Sequence, residues 1–177
     1  EHPGNGTPLA GPTDRFTDVA ADVQYQFIGE EHLFTVLGTY INERQKLDAS
    51  VLDAFAANQS NSLKTLKLTG EYTYQRTIGG SLGFFNITGS SDTGLYPSTG
   101  TASDGTATPL PVVGSLANKP DSRGYIAEVN YLPFLNVKLQ LQYTKYSKFN
   151  GLSNNYDGLG RSAADNDTLY LLGWVNF

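Results

Sequence analysis

Asp18 and Asp22 are the first side chains in this sequence that suggest chemistry. Two carboxylates that share a proton must lie within a few ångströms of each other. On an extended strand, residues four apart are separated by roughly 13 Å. The pair therefore reads as two polar residues on one strand face rather than as an acid–base couple. The only histidines are His2 and His32. His32 as a haem or metal ligand competes with a plainer role as a solvated turn residue, and no second histidine stands at ligand spacing. Cysteine is absent, which excludes a thiolate metal site, a disulfide framework and covalent haem attachment within these residues. No Ser, His and Asp residues form a catalytic constellation, so no enzyme is expected.

Composition narrows the classes further. Charged residues make up 16% of the chain, below the roughly 25% of an ordinary soluble domain. The net charge of −5 argues against a nucleic-acid partner. Tyr, Phe and Gly are abundant, at 11, 9 and 19. The absence of Met is expected of a processed chain or of part of a longer product. No apolar run approaches the roughly 20 residues of a transmembrane helix. The mean hydropathy of −0.31 does not exclude a transmembrane barrel, whose strands alternate apolar and polar residues so that the average cancels.

Period-two alternation picks out seven strands: Phe16–Ile28, Leu33–Glu43, Thr65–Gln75, Ile78–Thr88, Arg123–Pro133, Val137–Lys148 and Thr168–Phe177. In the sixth, Val137, Leu139, Leu141 and Tyr143 alternate with Lys138, Gln140, Gln142 and Thr144. In the fourth, the adjacent Phe84 and Phe85 predict a bulge or register change. Each strand has about ten residues, the length that crosses a bilayer when tilted, where soluble strands are more often about 5–6. Tyr and Phe near the strand ends match an interfacial aromatic girdle.

The connections alternate in length. Gly29–Glu31, Arg76–Thr77 and Phe134–Asn136 are short, whereas Arg44–Lys64, Gly89–Ser122 and Phe149–Asp167 are long. This is the pattern of short periplasmic turns and long extracellular loops in a bacterial outer-membrane barrel. The expected fold is thus an all-β antiparallel transmembrane barrel spanning residues 16–177, with outer-membrane lipid as its surroundings. Residues 1–15, rich in Gly and Pro, read as the remnant of an extracellular loop. Seven is an odd number, whereas bacterial single-chain barrels have even numbers of strands. An open sheet would also leave edge N–H and C=O groups unsatisfied in lipid. The chain is therefore expected to be the C-terminal part of a larger barrel.

On this reading one strand face lines the lumen. Its polar residues are Asp18, Asp22, Gln24, Glu43, Lys67, Glu71, Glu128, Asn130, Lys138, Gln140 and Gln142. They either set ion selectivity in a water-filled pore or form an interstrand network filling a narrow barrel. In the first long loop, Asp48 or Ser50 is a candidate cap for a short helix with Leu52, Phe55 and Ala56 as its apolar face. That helix either folds over the mouth or packs on its neighbours. The second loop is small, polar and flexible in composition. It holds Asp92 and Asp104, but no calcium-loop spacing, so no metal is expected. The third loop, dense in Asn, Asp and Gly, predicts a cluster of structured turns.

The last strand puts Leu169, Leu171, Gly173, Val175 and Phe177 on one side. This apolar stripe with a final aromatic resembles the C-terminal signal read by the barrel insertion machinery of Gram-negative outer membranes. A wider resemblance rests on TYINERQKLDAS, DSRGYIAEVNYLPF and LQYTKYSKFNGLSNNYDGLGRSAADNDTLYLLGWVNF. Its most specific part runs from Phe149 to Ala163. Together these stretches resemble the C-terminal barrel region of proteobacterial fused cytochrome–porins. The resemblance implies an outer-membrane barrel joined to an N-terminal segment that binds haem c, and electron transfer to periplasmic cytochromes. No cofactor ligand carries over, because the attachment cysteines have no counterpart here. Three functions remain in view: an electron-conduit barrel, a general diffusion porin, and a structural or adhesive barrel acting through its outer loops.

Overall fold

The structure, a computed structural model, describes residues 11–176. In chain order the elements are β1 (Arg15–Ile28), β2 (His32–Lys46), α1 (Asp48–Leu52), β3 (Ser60–Tyr74), β4 (Ile78–Gly89), β5 (Thr99–Thr101), β6 (Ala107–Pro109), β7 (Ser122–Phe134), β8 (Val137–Lys148), a 3-10 turn (Ala163–Asn166) and β9 (Thr168–Val175). The long strands form one antiparallel sheet in the order β1-β2-β3-β4-β7-β8-β9, while β5 and β6 make a separate small hairpin. The seven expected strands are all present. Pairing runs further than the apolar alternation at the long-loop end of β2 and β3, through the polar pairs Arg44–Ser62, Gln45–Asn61 and Lys46–Ser60.

The pair Phe84–Phe85 does not produce the expected irregularity. β4 pairs with β3 and β7 without a shift, and the two rings point to opposite faces. Phe84 packs against Tyr125 and Phe85 against Tyr146, each with ring centroids 5.5 Å apart. The register shifts lie instead between β7 and β8, at Arg123/Gly124 and between Tyr131 and Phe134. Pro133 lies within the second shift, where it has no N–H to give to a ladder.

Cross-strand register assembles the alternating residues into continuous rows. One row runs Tyr25, Val36, Gly70, Leu82, Ala127, Tyr143, Leu169. The next runs Phe27, Phe34, Tyr72, Gly80, Val129, Leu141, Leu171. One face is therefore apolar across all seven strands. Domains ordinarily bury such a face against a second layer. Among the described helices and strands, each sheet strand contacts only its sheet neighbours, apart from β8, which also meets the 3-10 turn. In β7 and β8 the usual burial is inverted. Val129, Leu139 and Leu141 are 45–56% exposed, while Asn130 and Thr144 on the other face are 6% and 8% exposed.

The three long links pack against one another at one end of the sheet. Asp14, just before β1, accepts hydrogen bonds from Ala49 N and Ser50 N at 2.9 and 3.1 Å and from the Ser50 hydroxyl. The N-terminus of α1 is thus capped from 35 residues away, and neither Asp48 nor Ser50 serves as its cap. The expected apolar helix face is also corrected. Leu47, Ala49 and Ala56 are buried, whereas Leu52 and Phe55 are exposed. Ala54 follows this helix with φ of 58°, the left-handed position where glycine carries no Cβ penalty. Ala54→Gly is expected to stabilise the fold by about 1 kcal/mol, read as an upward shift of the urea midpoint.

The second link is tied down rather than loose. Asp92 N donates to Asn118 O at 2.9 Å, and Asn118 Nδ2 donates to Tyr96 O at 2.9 Å. The third link is the turn cluster its composition predicts, with positive φ at Asn150, Gly151, Asn155, Gly158 and Gly160. It is stitched to the second by Leu116 N to Tyr156 O at 2.7 Å and Gly151 N to Asp121 O at 2.8 Å. No helix among the described residues is long and apolar enough to cross a membrane.

Candidate functional site

The polar face of the sheet is the candidate site. Strand register places Asp18, Asp22, Gln24, Glu43, Lys67, Glu71, Glu128, Asn130, Lys138, Gln140 and Gln142 all on that face. Thr35, Glu71, Ser81, Glu128 and Gln142 form one row across five strands. Only part of the set is knit together. Asn130 Nδ2 and Gln140 Nε2 donate to the two oxygens of Glu128 at 2.7 and 2.8 Å. Thr39 Oγ1 donates to Asp22 Oδ1 at 2.6 Å. Gln45 Nε2 donates to Glu43. Lys67, Glu71 and Lys138 form no ion pair among the described residues. The face thus combines a local hydrogen-bond network on β7 and β8 with unpaired charges elsewhere. Asp18 and Asp22 remain exposed on the edge strand β1.

Thr39, Ser81 and Thr144 share this face; alternation places Thr39 and Thr144 there, whereas Ser81 stands in the fourth strand, whose alternation is interrupted at Phe84 and Phe85. Parity with Gly79 and Phe85 along the strand is the signal that identifies Ser81. His32 lies on the opposite, apolar face at the short-turn end. Its Nδ1 is 2.8 Å from Tyr72 Oη, and its ring lies 5.3 Å from Tyr74. It is a member of an aromatic group rather than a free turn residue. Leu169, Leu171, Gly173 and Val175 face the apolar side opposite Tyr143, Leu141, Leu139 and Val137. Phe177 and His2 lie outside the described residues.

At its long-loop end the polar face continues into a ladder of rings. Phe85 and Tyr146 are followed by Phe149 at 5.2 Å from Tyr146 and by Tyr156 at 5.0 Å from Phe149. Tyr156 is fully buried, and its hydroxyl donates to Asn166 Oδ1 at 3.2 Å. Gly124 makes room for the first contact of the ladder. A Cβ there would lie 2.2 Å from Lys145 O and 2.7 Å from Phe85 Cζ. Gly124→Ala is expected to destabilise the fold by about 2 kcal/mol and to lower the thermal midpoint, with the loss centred on β7, β8 and the ring contacts.

Two carboxylates hold the loops over this end. Asp92, 2% exposed, accepts from Ala57 N, Asn58 N, Gly94 N, Leu95 N and Asn61 Nδ2 at 2.7–3.0 Å. Burial pushes its pKa up, but the hydrogen bonds from Ala57, Leu95, Asn61 and Asn58 outweigh burial and hold it well below the usual carboxylate range. Asp157 is fully buried. Burial raises its pKa too, and the backbone N–H groups of Leu159, Val112 and Arg161 bring it below its ordinary value. Both carboxylates serve the loops. Asp104 is likewise occupied locally, accepting from Thr106 N and Oγ1 at 3.0 and 2.7 Å. No cluster of three or more His, Cys, Asp or Glu suited to a metal occurs among the described residues.

No family model matches this chain, and neither a curated protein nor a solved structure is significantly similar to it.

Proposed function

We propose that this sheet is a wall segment of a bacterial outer-membrane β-barrel, with its apolar face in lipid and its polar face on a lumen. The observation that carries the reading is the inverted burial of β7 and β8: apolar side chains out, polar side chains sheltered, and no second layer of helices or strands over the apolar face among the described residues. Lipid is the medium in which that arrangement is stable. In this reading the turns at 29–31, 75–77 and 135–136 are periplasmic, and the interlocked long loops form an extracellular cap. Among the described residues β1 and β9 are the edge strands of the sheet, and in this reading further strands seal them.

The resemblance to cytochrome–porins extends the proposal to the whole protein. The barrel would sheathe a haem c segment and carry electrons across the outer membrane. A diffusion porin is the second reading, favoured by the unpaired Glu71 and the acidic residues Asp18, Asp22 and Glu43 on the polar face. A lumen lined this way prefers cations.

The test is purification of the full protein from its native membrane, followed by intact mass, visible absorption and single-channel conductance in a planar bilayer. Detergent-dependent extraction with a c-type haem band supports the conduit. Cation-selective conductance without haem supports the porin. Recovery of a folded monomer in detergent-free buffer, with neither property, overturns both.

A further inference from the structure

Charge is distributed unevenly between the two faces and the two ends of the sheet. Arg15, Arg44, Lys46, Lys64, Arg123 and Lys145 stand on the apolar face, all at its long-loop end, and all are exposed. The short-turn rim of the same face, at Phe27, His32, Tyr74, Ile78, Tyr131 and Val175, carries no Lys or Arg. Every Asp and Glu of the long strands, namely Asp18, Asp22, Glu43, Glu71 and Glu128, lies on the polar face. Like charges meet across the strands of the long-loop rim, where Arg15 pairs with Lys46 and Arg123 with Lys148. Such pairs destabilise a sheet, and an anion between them removes the repulsion. Lys46 and Lys148 each reach one carboxylate, Asp48 at 3.4 Å and Asp121 at 3.7 Å, whereas Arg15, Arg44 and Lys64 form no ion pair among the described residues.

On β1, β2 and β3 the cations are in line with an apolar hollow. Successive rows run Arg15–Lys46–Ser60, Thr17–Arg44–Ser62 and Val19–Asn42–Lys64, then Ala21–Tyr40–Leu66 and Val23–Gly38–Leu68. The first two rows bound a hollow of about 530 Å³, and the last two bound one of about 250 Å³. Gly38 keeps the second hollow open. A Cβ there would lie 3.1 Å from Val23 Cγ1 and 3.3 Å from Leu68 Cδ2. From Thr17 to Ala21 the strand advances roughly 13 Å. Cations and hydroxyls at one level, with an apolar hollow beside them on the same three strands, match an amphiphile rather than a free anion.

We propose that β1, β2 and β3 bind a lipid whose head group bears two phosphates. The phosphates lie among Arg15, Arg44, Lys46 and Lys64, and an acyl chain lies in the hollow over Gly38. With Asp48 set against Lys46, these side chains leave three positive charges. One phosphate group, at roughly −1.5 to −2, neutralises only part of that charge. A free phosphate leaves the apolar hollow empty, and a zwitterionic lipid leaves the cations without a net counter-charge. The inference rests on the proposed membrane reading, in which this rim lies level with the outer-leaflet head groups and attracts the anionic ones.

The experiment uses the full protein in non-ionic detergent and follows three probes by microscale thermophoresis: lipid A, phosphatidylcholine and inorganic phosphate. Lipid A is expected to bind about tenfold more tightly than phosphatidylcholine, and excess phosphate is expected not to displace it. Arg44→Gln combined with Lys64→Gln is expected to weaken lipid A about tenfold and leave phosphatidylcholine unchanged. Arg123→Gln combined with Lys145→Gln, at the other side of the sheet, is expected to leave lipid A unchanged, with the β-sheet circular dichroism retained for both double variants. Equal loss in the two double variants overturns a site on β1, β2 and β3. Displacement by phosphate, or equal binding of lipid A and phosphatidylcholine, overturns the lipid assignment. Absence of lipid A binding by a protein that still conducts ions in a bilayer overturns the inference and leaves the membrane reading standing. Lipid A binding by a protein that stays folded without detergent keeps the site and removes the membrane reading.

Discussion

Leu82→Arg is expected to block assembly into lipid vesicles, while Ser81→Arg, one residue away, is expected to be tolerated. Leu82 is at mid-strand on the apolar face and is 72% exposed. In the proposed orientation its side chain meets the hydrocarbon. A charged side chain at the bilayer midplane of a barrel costs about 2–4 kcal/mol. Ser81 points to the other face, where its strand neighbours are Glu71 and Glu128. An arginine there gains two carboxylate neighbours and stays in water. The readout is the urea midpoint for folding into vesicles, with a heat-sensitive gel shift as the assay of the folded barrel. Equal tolerance of the two substitutions would mean that lipid does not cover the apolar face.

The second large effect lies in the loops. Asp92→Ala is expected to undock the first long link from the second and cost about 3 kcal/mol, because five donors lose one carboxylate. The sheet is expected to persist. Amide hydrogen exchange at Ala57, Asn58 and Leu95 should accelerate strongly, with little change in β2 or β8. The pH dependence has a definite sign. The folded pKa of Asp92 lies below its unfolded value, so its contribution is complete above about pH 4 and is lost as the pH falls through the depressed folded value. Asp157 shifts in the same direction, so acid should loosen the loops from both contacts together. A cap that survives Asp92→Ala with unchanged exchange would show that other contacts hold it.

Strand positions were legible because alternation is a local signal. Residues such as Val137, Leu139 and Leu141 declare their face without reference to any partner. The polar face was legible for the same reason, and all eleven of its expected residues fall on one side. The features that escaped depend on distant residues. Asp14 caps the short helix through Ala49 N, and Asp92 binds Ala57 N, contacts that span 35 residues in each case. No local pattern announces them. The β5–β6 hairpin escaped because each of its strands has only three residues, too few to show a period. Phe84 and Phe85 misled in the opposite direction. Their adjacency suggested a slip, but Phe85 had a partner in Tyr146, across a space that Gly124 leaves open.

The ring ladder has an optical consequence. Tyr146 and Tyr156 are held at fixed angles against phenylalanine rings, at 75°, 85° and 64° along the ladder. Aromatic groups fixed in such surroundings give a near-ultraviolet circular dichroism signal that vanishes when tertiary packing loosens. The single tryptophan, Trp174, is far from them, paired with Lys138 near the short-turn end. One unlabelled sample therefore carries two reporters: tyrosine dichroism for the docking of the loops and tryptophan emission for the opposite rim. Undocking the loops by acid should weaken the first, through Tyr156 and Phe149, and leave the second unchanged.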